Sequence, residues 1–145
     1  MVTLTQRDSR WGHKPIGKTK VLIKDKGCLI TDISMLSDWY GTYKDPSWMA
    51  KYLNFTDQAL LLWQSITTSQ LPFKFVWRFY NYDEKMIVNA LKGKTTSCVL
   101  QVHGNHWVVG IRKVLNYYWV SDPWDGKRKM IHKSIISGGA TFDKK

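Results

Sequence analysis

The run Asp25-Lys26-Gly27-Cys28-Leu29-Ile30-Thr31-Asp32-Ile33-Ser34-Met35-Leu36-Ser37-Asp38-Trp39-Tyr40-Gly41 decides how this chain folds, because it reads as a helix that begins at a cysteine. From Cys28 the apolar residues Ile30, Ile33, Met35, Leu36, Trp39 and Tyr40 recur at near-helical spacing, and Gly41 suits a left-handed helix end. At a first helical turn a thiol meets the positive end of the macrodipole and backbone N–H groups that lack helical partners. That setting favours an anionic sulfur and can also stabilise an oxyanion. A lone cysteine is nevertheless more often a core residue than a nucleophile, so the reading of Cys28 depends on what the rest of the chain supplies.

Working outward, the 145 residues are 43% hydrophobic and 14% aromatic, which predicts one packed domain over residues 1–145 rather than disorder. The longest apolar runs, Ala59–Trp63 and Trp107–Ile111, are too short to span a bilayer. Met1–Arg10 lacks the basic start and apolar stretch of a signal peptide, so the expectation is a cytoplasmic protein at synthesis. Cys28 and Cys98 read as two free thiols, since a small secreted framework usually carries more cysteines. Lys and Arg number 22 against 11 Asp and Glu, a net charge of +11, which favours contact with anionic polymers through a basic surface. A merely solvated basic surface explains the same excess.

The pattern of elements predicts an α+β fold. Residues 1–24 read as an N-terminal arm anchored by Leu4 and Trp11, with a short strand at 20–23. A helical part covers 25–93. Within it, Asp45-Pro46 is a start signal for a helix to about Asn54, and a further helix from about Asp57 carries Leu60, Leu61, Leu62, Trp63 and Ile66. Phe73–Tyr80 alternates aromatic and basic residues like a half-exposed strand, a pattern that single-strand nucleic-acid binders also use. Asn81 and Glu84 are spaced as a capping box for a helix over 82–91, closed by Gly93. From 97 to 133 the chain reads as an antiparallel sheet of four strands: 97–103, 106–113, 117–121 and 128–132. Gly138-Gly139-Ala140, near the end, reads as a flexible tail.

A cysteine nucleophile needs a base within hydrogen-bond reach and a third group to orient that base. Of four histidines, His106 is best placed, at the start of a strand that can aim its ring at the head of a helix. His103 sits across the turn, while His13 and His132 have no evident partner. Asp122, before Pro123, ends the next strand and is positioned to orient the imidazole. Trp107 and Trp124 lie nearest these residues as candidate substrate-stacking positions, and Cys98 falls on an alternating strand as a core thiol. Cys28, Cys98, His103 and His106 lack zinc-type spacing, and no phosphate-binding glycine loop is present, so neither metal nor cofactor is expected.

The order of these motifs is informative. Gln6-Arg7-Asp8-Ser9-Arg10-Trp11-Gly12, Ile16-Gly17, Gly27-Cys28 through Met35-Leu36, Trp39-Tyr40-Gly41, His106-Trp107-Val108-Val109-Gly110 and Asp122-Pro123 together resemble the papain-like cysteine peptidases of the bacteriocin-leader, or double-glycine, peptidase group, in a free-standing bacterial or phage form. The resemblance implies Cys28 as nucleophile, His106 as general base and acid, Asp122 as its orienter and Gln6 as the side-chain donor of the oxyanion hole. It departs from the leader peptidases at segment 7–27, which separates Gln6 from Cys28 by more residues than the family usually has there.

By analogy, basic charge and small size point to peptide bonds of the bacterial cell wall, as in a lytic, endolysin-like enzyme acting after release or lysis. The alternative is a protease of double-glycine leader peptides. From another class comes a non-catalytic binding module with a basic surface.

Overall fold

The computed structural model describes all residues from Met1 to Lys145. Four helices come first: α1 (Ile23–Lys26), α2 (Cys28–Trp39), α3 (Pro46–Tyr52) and α4 (Gln64–Thr68). Then follow β1 (Phe73–Phe79), α5 (Glu84–Lys92), β2 (Thr96–Val102), β3 (His106–Val114), β4 (Tyr117–Asp122), β5 (Lys127–His132) and β6 (Ile136–Lys144). All six strands form one antiparallel sheet in the order β1-β6-β2-β3-β4-β5. The expected α+β architecture, a helix headed by Cys28 and packed on an antiparallel sheet, is what the chain adopts.

The sheet is covered on both faces. Period-2 alternation along β2 sends Val99 to the side where α2, α3 and α4 pack, with Ile33, Leu36, Met49, Ile66 and Phe142. Its neighbours Cys98, Leu100 and Val102 face the other side, where α5 contributes Ile87 and Ala90. Cys98 is fully buried, and burial pushes its thiol far up, which makes it an inert core residue.

Helix α2 is buried all round from Ile30 to Ser37, which its apolar spacing alone did not require. Its internal polar residues are met locally: Thr31 Oγ1 donates to Gly27 O at 2.7 Å, Ser37 Oγ to Ser34 O at 2.6 Å, and Ser34 Oγ to Lys44 O. Gly27 joins α1 to α2 at so close an approach that a Cβ there would lie 2.4 Å from Ile23 O. Only glycine lets the chain deliver Cys28 to the helix start.

Several expectations are corrected. Residues 20–23 form no strand; Ile23 opens α1, which is laced to the arm by Lys24 N–H donating to Gly12 O and Ile23 N–H to Lys14 O. The helix expected from Asp57 is an irregular loop until Gln64. Thr56 N–H donates to Leu60 O, Leu62 N–H to Asn54 O, and Ala59 sits at φ 64°. The leucine run that suggested a helix instead leaves Leu60 64% exposed. Helix α5 is capped by Asp83, whose carboxylate accepts from Met86 N–H at 3.0 Å, rather than by Asn81.

The largest correction concerns the C-terminus. Gly138-Gly139 is not a flexible tail but the middle of β6, paired between β1 and β2. A Cβ on Gly139 would lie 2.4 Å from Phe79 Cζ and 2.7 Å from Val99 O, so the glycines are there for close packing. Gly139→Ala is expected to destabilise the protein by about 2 kcal/mol. A thermal melt would then show Tm lowered by roughly 5 °C; an unchanged Tm would refute this account of the pair.

Candidate active site

The site is assembled at the N-terminal end of α2. Gly27 precedes Cys28 and no side chain caps the helix, so its first N–H groups remain available to a ligand beside the thiol. His106 opens β3, which packs directly on α2, and Asp122 ends the adjacent strand β4. The strands therefore bring together two residues far apart in sequence.

His106 Nε2 lies 2.7 Å from Asp122 Oδ1, and Cys28 is near enough to the same ring to help raise its pKa. With Nε2 engaged by the carboxylate, Nδ1 is left to face the sulfur. The other histidines do not approach: His13 and His103 are exposed, and His132 Nδ1 pairs with Ser134 Oγ at 2.8 Å.

Burial by itself would lower the pKa of His106, but the hydrogen bonds and charges of Asp122 and Cys28 prevail and raise it to about 9. Burial would likewise raise Asp122, yet His106, Trp124 N–H at 2.9 Å and Lys129 Nζ at 3.0 Å hold it at about 2. Lys129 is a participant that sequence reading missed. It reaches Asp122 from β5 while also holding Asp125 at 2.7 Å, and only strand pairing reveals it.

Gln6 is 1% exposed. Its backbone N–H donates to Pro123 O at 2.8 Å and its Nε2 to Lys24 O at 3.0 Å, which ties the arm to both the β4 end and α1. Trp11, fully buried, pins the arm through Nε1–H donation to Thr5 O at 2.9 Å. Arg7 stacks on Trp124 with its guanidinium carbon 4.6 Å from the ring centroid.

Cys28, His106, Gln6, Trp107 and Trp124 line one cleft of about 590 Å³. Asp122 stands behind His106, outside that lining. The loop with Gln58, Leu60 and Leu61, where the sequence suggests a helix, lines the same cleft. Trp107 is partly held by the core: it packs edge-on against Trp63 at 5.5 Å and carries the Arg78 guanidinium carbon 4.9 Å from its ring centroid. No group of three or more His, Cys, Asp or Glu is arranged to hold a metal ion, and no helix is long and apolar enough to cross a membrane.

Solved structures share this arrangement of helices and sheet. A double-glycine motif protease from an AMS/PCAT transporter, crystallised with a leader peptide, superposes with a TM-score of 0.63 at 14% identity, covering 94% of this chain and 96% of that one. The peptidase domain of Streptococcus ComA, a bi-functional ABC transporter of a quorum-sensing pathway, superposes with a TM-score of 0.61 at 12% identity, covering 83% and 93%. The chain has the papain-like fold of double-glycine peptidase domains. The sequence matches no protein-family model and no curated protein.

Proposed function

We propose that this chain is a cysteine peptidase that hydrolyses peptide bonds through Cys28, His106 and Asp122, with double-glycine leader peptides as its substrate class. The observation that carries the reading is the His106 ring, bonded to Asp122 at 2.7 Å and lining the same cleft as Cys28 at the start of α2.

The chemistry follows from that geometry. His106 shares or takes the Cys28 proton, and the sulfur attacks the scissile carbonyl carbon. The carbonyl oxygen becomes an oxyanion, received by the N–H groups at the start of α2 and by Gln6. As the C–N bond breaks, His106 gives its proton to the leaving amine, and an acyl-thioester remains. Water then attacks the thioester carbonyl while His106 accepts its proton, and sulfur leaves as the acid is released. Asp122 keeps the imidazole in the required orientation and charge state throughout.

The substrate class rests on the neighbours and on the cleft. Both neighbours are peptidase parts of transporters, one holds a leader peptide, and neither is named for a cell-wall substrate, so the leader reading replaces the cell-wall one. The exposed Leu60 and its neighbour Leu61 present an apolar wall for side chains before the scissile bond. A second groove, lined by Lys14, Lys18, Lys20 and Lys51, adjoins the cleft, for Val21 and Phe55 line both. It is where the anionic contact expected from the net charge would fall, as an acidic stretch of the same peptide.

Incubating the protein with a synthetic leader peptide ending in Gly-Gly, and in parallel with purified peptidoglycan, separates the readings. Cleavage after the second glycine, with its kcat/KM lowered at least about tenfold when that glycine is replaced by leucine, is the expected result. Release of wall peptides alone would restore the cell-wall reading, and no turnover of either would favour a binding module.

A further inference from the structure

Only three buried side-chain polar atoms lack a hydrogen-bond partner: Gln6 Oε1 and both carboxyl oxygens of Asp32. Buried polar groups nearly always find partners, so three orphans on two residues ask for one explanation. Asp32 is 0% exposed and follows Cys28 by four positions, which puts Cys28, Asp32 and Met35 on one face of α2.

The arm runs along that face. Leu4 N–H points at Met35 Sδ at 3.4 Å, and two residues further on Gln6 reaches the cleft beside Cys28. The end of β4 follows the same line: Ser121 Oγ lies 3.3 Å from Met35 Sδ, Asp122 is within electrostatic reach of Asp32, and Pro123 O accepts from Gln6 N–H. Arm, helix and strand end thus converge on the turn of α2 that carries Asp32.

Burial is the main force on the Asp32 carboxyl, with the negative charges of Cys28 and Asp122 adding to it. All three hold it well above the usual range, in its neutral form. Lys129, which reaches Asp122 from β5, is engaged by Asp122 and Asp125. A neutral carboxylic acid has an O–H to give, and Gln6 Oε1 is an acceptor without a donor.

We infer that Asp32 is a positioning residue, whose O–H is donated to Gln6 Oε1, directly or across one bridging water molecule, so that the Gln6 amide presents Nε2 to the oxyanion. With Oε1 held by Asp32 and one N–H held by Lys24 O at 3.0 Å, the amide cannot turn over, and its second N–H is free for the substrate. This role rests on the reading of Cys28 as nucleophile.

Asp32→Asn keeps the size and a donor toward Gln6, and is expected to hold kcat within about threefold. Asp32→Ala removes the donor and should lower kcat by roughly tenfold to a hundredfold while KM stays within about twofold. Affinity for a peptide aldehyde, whose adduct with Cys28 places an oxyanion in the same hole, should fall with kcat. Alkylation of Cys28 by iodoacetamide, which forms no oxyanion, should not change. Infrared spectra of the unmodified protein should show the carbonyl band of a protonated carboxylic acid that Asp32→Asn lacks, a readout that stands even where Asp32→Ala fails to fold. Unchanged kcat and aldehyde affinity in Asp32→Ala, or no such band, overturns the inference. Slow alkylation of Cys28 in the unmodified protein would instead overturn the catalytic reading on which it rests.

Discussion

Cys28→Ala is expected to abolish peptide-bond hydrolysis, lowering kcat by at least about 10⁴-fold while the protein stays folded. The size of the effect follows from the chemistry: without sulfur no acyl-thioester forms, and only the binding cleft and the oxyanion donors remain. Cys28 is half-buried at the helix start, outside both core clusters, so replacing it leaves packing intact and Tm close to that of the parent. Single-turnover assays on the leader peptide, run beside thermal melts, check both halves. Retention of more than about a hundredth of the parent kcat would sink Cys28 as the nucleophile. Cys98 offers no substitute, because it is fully buried and its thiol is pushed up by that burial.

Asp122→Asn should reduce kcat by about 10²- to 10⁴-fold and reshape the pH profile. The parent requires an imidazolium to protonate the leaving amine, so activity should decline as pH rises through about 9, the value to which Asp122 and Cys28 raise His106. Asparagine withdraws the negative charge and the strongest acceptor from that ring. The alkaline limb should therefore move down toward neutral pH, while burial, which by itself lowers the imidazole, is less opposed. A kcat/KM profile of the variant whose alkaline limb stayed near 9 would exclude Asp122 as the group that sets the His106 charge.

The same pair makes a stability statement. The folded pKa of His106 is raised, so its contribution is fully present below the unfolded value of about 6.5 and is lost as pH rises through about 9. Asp122 is depressed, so its contribution is present above about 3.9 and is lost as pH falls through about 2.

Some of this was legible in the residues. Helix α2 announced itself through apolar spacing and Gly41, which does adopt φ 90°. Asp45-Pro46 marked α3, and the Asp45 carboxylate accepts from Trp48 N–H at 2.9 Å. Strands β2 to β5 fell within a residue or two of their expected limits, because alternation and turn residues are local signals. The motif order around Cys28, His106 and Asp122 points to the same fold that the solved structures share.

Other features could not be read locally. The leucine run at 60–62 carries no information about direction; loop hydrogen bonds to Asn54 and Thr56 turn it into the wall of a cleft. Gly138-Gly139 looks the same in a tail as in a crowded strand, and only the approach of Phe79 and Val99 tells them apart. Lys129 reaches Asp122 through strand pairing, and Asp32 becomes an orphaned acid only when α2 is enclosed on every side.

The sequence by itself determined the elements and the residue types able to form a thiol site, since propensity, alternation and motif order act over a few neighbours. The tertiary structure alone decided which groups meet and in what charge state. Close partners raise His106 and depress Asp122 against the pull of burial, burial keeps Asp32 neutral, and neither influence exists until distant segments pack together.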